Sequence, residues 1–240
     1  MSAWLQVYPD AWSLANGAAE AITTGLSAAV ARAGNASIAL SGGSTPGSVY
    51  EHLAKKDIAW DKVDVFWGDE RCVPADSPAS NFLMAQKTLL EKVRIPEKNI
   101  HRVMTELSPE NAAREYELEM KRHFQSDAPA FDIVLLGLGD DGHTASLFPD
   151  TSALTVKQRL AINVFVPRLG SHRVTITLPA INAARKVMFL VSGEPKAAIV
   201  REIVERRPGT YPAELVRPSE SPAWFLDAPA ASLLSTKVTA

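Results

Sequence analysis

Apolar residues along the 240-residue chain fall into two rhythms. From residue 9 to 34 they recur at 12, 15, 19, 22, 26 and 29/30, the spacing of one helix face, and stop at Gly34-Asn35. The same rhythm predicts helices over 45–55, with Thr45 as N-cap and Pro46 in the first turn, and over 81–93. It returns over 108–124, with Ser108 as cap and Pro109 first, over a short stretch at 180–184, and over 195–205. Between these lie short apolar runs at 36–42, 62–70, 131–139, 161–167, 172–179, 186–193 and 223–227, which predict strands. The run "FDIVLLGLG" at 131–139 is almost wholly apolar, as expected of a strand covered on both faces. Strands alternating with helices predict an α/β fold with a mostly parallel sheet flanked by helices on both faces. Residues 1–240 read as one domain, the Pro-rich segment 206–223 as a loop within it, and the end as an alanine-rich tail.

Composition narrows the possibilities. With 46% hydrophobic and 22% charged residues the chain is globular, and a net charge of −2 supplies no global field for nucleic acid or acidic membranes. An anionic ligand must then be held by local charges and oriented amides. The single cysteine, Cys72, excludes an intramolecular disulfide and a thiolate metal cluster within one chain. His52, His101, His123 and His172 are scattered without metal-ligand spacing. "MSAWLQVYPDAWSLA" lacks the basic and apolar regions of a leader, and the apolar runs are short, so a cytoplasmic location is expected.

Chemistry concentrates at three strand ends, where open α/β sheets bind ligands. "SGGSTP" (41–46) brings Gly42, Gly43, Ser44 and Thr45 to a helix N-terminus, whose free amides and dipole favour an anion. It matches neither the nucleoside-triphosphate P-loop nor the dinucleotide fingerprint. "WGDERCVP" (67–74) places Asp69, Glu70 and Arg71 directly after a strand. "GLGDDGHTASLFP" (137–149) turns through Asp140, Asp141 and Gly142 into His143, at the start of a short helical segment. Asp141 is spaced to orient the imidazole, and a neighbouring carboxylate raises its pKa. Two cations complete the set: Arg173, opening a strand, and Lys196, in a first helical turn where it needs an anionic partner.

Taken together, "SGGSTP", "WGDERCVP…SNF", "GLGDDGHTASLFP", "RVTITLPAIN" and "FLVSGEPKA" span nearly the whole chain in this order. They resemble the glucosamine-6-phosphate isomerase/6-phosphogluconolactonase family, and "WGDER" and "DGHTASLFP" look like its lactonase branch. The resemblance implies a Rossmann-like fold of the glucosamine-6-phosphate deaminase/ribose-5-phosphate isomerase type. It further implies hydrolysis of 6-phospho-D-glucono-1,5-lactone to 6-phosphogluconate in the oxidative pentose phosphate pathway, without metal or nucleotide. It assigns the substrate and its phosphate to Gly42, Gly43, Ser44, Thr45, Asp69, Arg71, Arg173 and Lys196, and catalysis to His143 with Asp141. No nucleic-acid or membrane partner follows, and a monomer or weak homodimer is expected. Two rivals share the cradle: an amino-sugar-phosphate isomerase or deaminase, and a sugar-phosphate sensor without catalysis.

Overall fold

The computed structural model describes residues 4–235. The first three residues, part of the stretch read for a leader, and the last five, the end of the alanine-rich tail, lie outside the described residues. In chain order the strands are β1 (Trp4–Tyr8), β2 (Ala36–Leu40), β3 (Val63–Trp67), β4 (Asp69–Arg71), β5 (Ile133–Leu136), β6 (Ala161–Val166), β7 (Ser171–Ile176), β8 (Lys186–Val191) and β9 (Ala223–Asp227). The helices are α1 (Ala11–Ala33), α2 (Ser44–Leu53), α3 (Asn81–Thr88), α4 (Pro109–Phe124), α5 (Leu178–Asn182) and α6 (Ala197–Arg201).

Six strands form a parallel sheet in the order β1-β9-β8-β5-β2-β3, and β4-β7-β6 form a small antiparallel sheet beside it. Alternate side chains of each central strand point to opposite layers, and both layers are buried. Ile38, Leu40, Val65, Trp67, Ile133 and Leu135 pack towards α1 and α2. Ala39, Phe66, Val134, Leu136, Phe189 and Trp224 pack with residues of α4, α5 and α6. This double burial is why the strand sequences read as continuous apolar runs. Trp12, counted on the apolar face of α1, is instead 68% exposed and lies edge-on to His52; Leu14 and Ala18 take the buried stripe.

Four local expectations change. β1 was not foreseen, because a five-residue segment becomes a strand only by pairing with β9, more than 200 residues away. The run 62–70 breaks at Gly68, whose amide donates to Leu40 O at 2.8 Å while its carbonyl accepts from Ile176 N at 2.8 Å. That crossing hands the chain from the parallel sheet to the antiparallel one. Gly43, at φ 109°, is the N-cap of α2 in place of Thr45, because the turn demands a conformation that glycine takes freely. No side chain caps that helix. Residues 144–147 form a tight bridged turn rather than a helix after His143, with Ala145 at φ 47°. Among the described residues no helix is long and apolar enough to cross a membrane.

Candidate active site

The chain runs from β2 outward to β3, then returns to place β5 on the other side of β2. At this reversal the loops after β2 and β5 diverge and leave a crevice at the carboxyl ends of the strands. A cleft of about 280 Å³ lies there. Its walls include Gly42, Gly43, Ser44, Thr45, Asp69, Arg71, His143, Arg173 and Lys196, nine of the ten expected site residues. The tenth, Asp141, stands behind His143.

One wall carries positive charge without ion-paired carboxylates on its arginines. Antiparallel pairing of β4 with β7 sets Arg71 directly opposite Arg173. Like charges so placed repel, and neither guanidinium has a carboxylate within ion-pair distance among the described residues. Burial, with Arg71 beside it, pushes the Arg173 pKa down, although Asp69 opposes the shift. The Nε atoms of both arginines are buried without a hydrogen-bond partner, while Arg71 anchors Nη1 on Ala79 O at 2.7 Å. The uncapped first turn of α2 faces the same space. Lys196 meets Asp140 at 2.5 Å, the anionic partner that its position in a first turn called for.

On the opposite wall His143 Nδ1 lies 2.5 Å from Asp141 Oδ1. Burial opposes ionisation of Asp141, but the hydrogen bond and charge of His143, with Arg168, hold its pKa below the usual carboxylate range. An ionised carboxylate only accepts, so the ring proton resides on Nδ1 and Nε2 keeps its lone pair. The net pKa of His143 is nevertheless lowered. Burial outweighs the raising effects of Asp141 and Asp69, and Arg168 adds to the fall. The sequence-based expectation of a raised value captured the carboxylate and missed the burial. A neutral imidazole at neutral pH is the form that can accept a proton.

Residues 9–224 match the family of glucosamine-6-phosphate isomerases/6-phosphogluconolactonase. The chain belongs to this family. It is 49% identical over 212 residues to a 6-phosphogluconolactonase of Synechocystis, covering 86% of this chain and 88% of that protein. It is 42% identical over 241 residues to a 6-phosphogluconolactonase of Nostoc, covering 98% and 100%. A solved 6-phosphogluconolactonase from Trypanosoma cruzi superimposes with a TM-score of 0.88 at 31% identity, covering 98% of this chain and 99% of that one. Within the family the chain is an enzyme of the 6-phosphogluconolactonase type.

Family membership does not explain every side chain around the cleft. Glu70 does not reach it. Its buried carboxylate accepts from the amides of Arg71, Asn81 and Phe82 at 2.6–2.8 Å and from Ser80 Oγ at 3.1 Å, so it fixes the start of α3. Asp69 does reach the cleft and accepts from Ser146 Oγ at 2.5 Å. Cys72 is packed, and burial pushes its thiol up to about 11, which makes it a poor nucleophile.

Three contributors went unforeseen. Arg168 binds Asp141 Oδ2 at 2.8 Å. Phe148 stacks under the His143 ring at 4.0 Å and carries the Arg168 guanidinium over its own face at 4.8 Å. Asn81 lines the cleft, donates to Asp69 O, and leaves a buried Oδ1 without a partner. Its amide occupies the space where a Cβ on residue 42 would lie, 1.9 Å from Oδ1, which is why position 42 is glycine. "SNF" stood inside the quoted motif, but its Asn reads as an ordinary first helical residue. Nothing in "VPRLG" links Arg168 to a histidine 25 positions earlier. The loop 206–223 also serves the site: Ala213 N donates to Gly142 O at 3.0 Å, and Tyr211 packs against Gly142.

Proposed function

We propose that the chain hydrolyses 6-phospho-D-glucono-1,5-lactone to 6-phospho-D-gluconate, with His143 as general base and the 6-phosphate held on the positively charged wall. The observation that carries this reading is the pairing of a carboxylate-oriented neutral imidazole with two unneutralised arginines across one cleft. His143 Nε2 removes a proton from water as its oxygen bonds to C1, and the carbonyl electrons move onto the exocyclic oxygen. When the tetrahedral intermediate collapses, the C1–O5 bond breaks and the imidazolium returns the proton to O5. Asp141 stabilises the transient imidazolium, and Arg168 and Phe148 hold the pair in place.

The oxyanion needs donors. In the 139–143 turn the amides of Gly139, Gly142 and His143 already bond to His143 O, Gly139 O and Asp141 Oδ1, which leaves at most those of Asp140 and Asp141. That favours a guanidinium, and Arg71, anchored at Ala79, is the pre-positioned one. The α2 amides, Ser44, Thr45, Arg173 and Lys196 then take the phosphate, with Lys196 exchanging Asp140 for it. Asn81 Oδ1 is placed to accept from a sugar hydroxyl.

The test is the rate of acid release from freshly generated lactone, measured against spontaneous hydrolysis, for the parent and for His143→Ala. Removing a general base should cost on the order of 10²–10⁴ in kcat. Near-parental kcat in a folded variant would reduce His143 to a structural residue. Ammonia released from glucosamine 6-phosphate, in place of lactone hydrolysis, would support the deaminase reading.

A further inference from the structure

Two of the scattered histidines meet in space, at the end of β3 opposite the cleft. His101 follows a segment bridged to β3, with its amide donating to Val65 O at 2.8 Å. His123 lies in the last turn of α4. Between them stands Asp64, the second residue of β3. One ligand atom from each of the three lies within 4.8 Å of the other two. We propose that Asp64, His101 and His123 form a zinc-class divalent metal site, with water as fourth ligand, that clamps β3 to α4.

The distances carry the argument. His101 Nε2 is 3.4 Å from Asp64 Oδ1, and His123 Nε2 is 3.6 Å from Asp64 Oδ2. Both exceed the usual N–H···O range of about 2.7–3.2 Å. They are close to the ligand–ligand edge of about 3.4 Å that tetrahedral zinc requires, given bonds of about 2.0–2.2 Å to nitrogen and oxygen. The two histidines face different oxygens of Asp64, so binding through a single oxygen requires the carboxylate to turn about its Cβ–Cγ bond.

The surroundings of the ligands fit as well. His101 Nδ1 meets Glu119 Oε1 at 2.9 Å, and Arg122 holds the other Glu119 oxygen at 3.1 Å. A carboxylate on Nδ1 directs the Nε2 lone pair towards Asp64, the arrangement that orients metal-binding histidines. Phe66 lies parallel to the His101 ring at 4.3 Å and edge-on to His123 at 5.2 Å, and Phe124 packs on His123. The three ligand side chains are only 8–17% exposed. Two imidazoles and one carboxylate, without thiolate, suit zinc rather than calcium or magnesium. Sequence spacing concealed the site because its ligands come from a strand, a connecting segment and a helix.

The experiment uses the full chain stripped with chelator and titrated with zinc chloride in a calorimeter. One equivalent should bind, and free zinc a hundredfold above Kd should raise Tm by roughly 5–11 °C. His101→Gln and His123→Gln should each weaken binding more than a hundredfold, and Glu119→Gln by about 10–100-fold. His143→Ala should bind zinc as the parent does, which separates this site from the catalytic cleft. Absence of stoichiometric binding, parental affinity in the two glutamine variants, or loss only in His143→Ala would overturn the proposal. Should a glutamine variant fail to fold, cobalt(II) added to the stripped parent decides. An intense tetrahedral visible spectrum supports the site, and the weak spectrum of octahedral cobalt refutes it.

Discussion

Gly139→Ala offers a sharp test of the catalytic reading, because it attacks the His143–Asp141 pair without touching either residue. Gly139 has no positive φ, so alanine suits its backbone. Its new Cβ would lie 1.9 Å from His143 Nδ1, 2.1 Å from Cε1 and 2.7 Å from Asp141 Oδ1. The backbone resists retreat, since Gly139 N donates to His143 O at 2.8 Å and Gly142 N to Gly139 O at 3.0 Å. Carbon contacts settle at about 3.5–4.0 Å, so the imidazole must move by about 1.5 Å or more. A misplacement of about 1 Å already costs on the order of 10²-fold, and total loss of a general base about 10²–10⁴. kcat should therefore fall by roughly 10²–10⁴. The overpacking costs about 1–3 kcal/mol, or roughly 2–12 °C in Tm, which leaves the protein folded at 25 °C. The assay is lactone hydrolysis corrected for the spontaneous rate, in the parent, both single variants and the Gly139→Ala/His143→Ala double. If the methyl acts through the imidazole, the double variant is no slower than His143→Ala alone. A single variant within threefold of the parent, or a full additional loss in the double, would refute the reasoning.

Other consequences are as direct. Asp141→Asn removes a charge that raises the His143 pKa, so the acid limb of the kcat/KM profile should move to lower pH as the rate falls; Arg168→Gln removes a charge that lowers it, and the limb should move to higher pH. Equal directions in the two profiles would break the proposed chain of contacts. Arg173→Ala and Lys196→Ala should raise KM for the phosphorylated lactone and leave the slow reaction of unphosphorylated glucono-1,5-lactone nearly unchanged, whereas equal losses on both would remove these residues from the phosphate site. Glu70→Ala strands the amides of Arg71, Asn81 and Phe82 and should cost at least about 3 kcal/mol, a fall of about 6–12 °C in Tm seen by calorimetry.

Local periodicity was enough for the elements whose signals lie within a few residues. The doubly buried strands, the stop of α1 at Gly34, the α4 cap at Ser108, and the three strand ends that meet at the cleft all read out because each depends on neighbours in the chain. So did the pairing of Asp141 with His143, two positions apart. The sequence by itself also carried the family, since its motifs fall in order over nearly the whole chain.

What it could not carry was anything set by segments distant along the chain. β1 needs β9; the break at Gly68 needs Leu40 and Ile176; the opposition of Arg71 and Arg173 needs the β4–β7 register. The net direction of the His143 pKa is of the same kind. The carboxylate that raises it is two residues away, whereas the desolvation that lowers it comes from the surrounding fold, Phe148 and its neighbours included. Glu70 and Asp69, adjacent in sequence, part company because neighbouring strand residues face opposite sides: one is locked under α3, the other opens to the cleft. Residue type and local spacing determined which chemistry was available; burial and long-range pairing, which depend on the whole fold, decided which groups meet, which are desolvated and which remain charged and unneutralised.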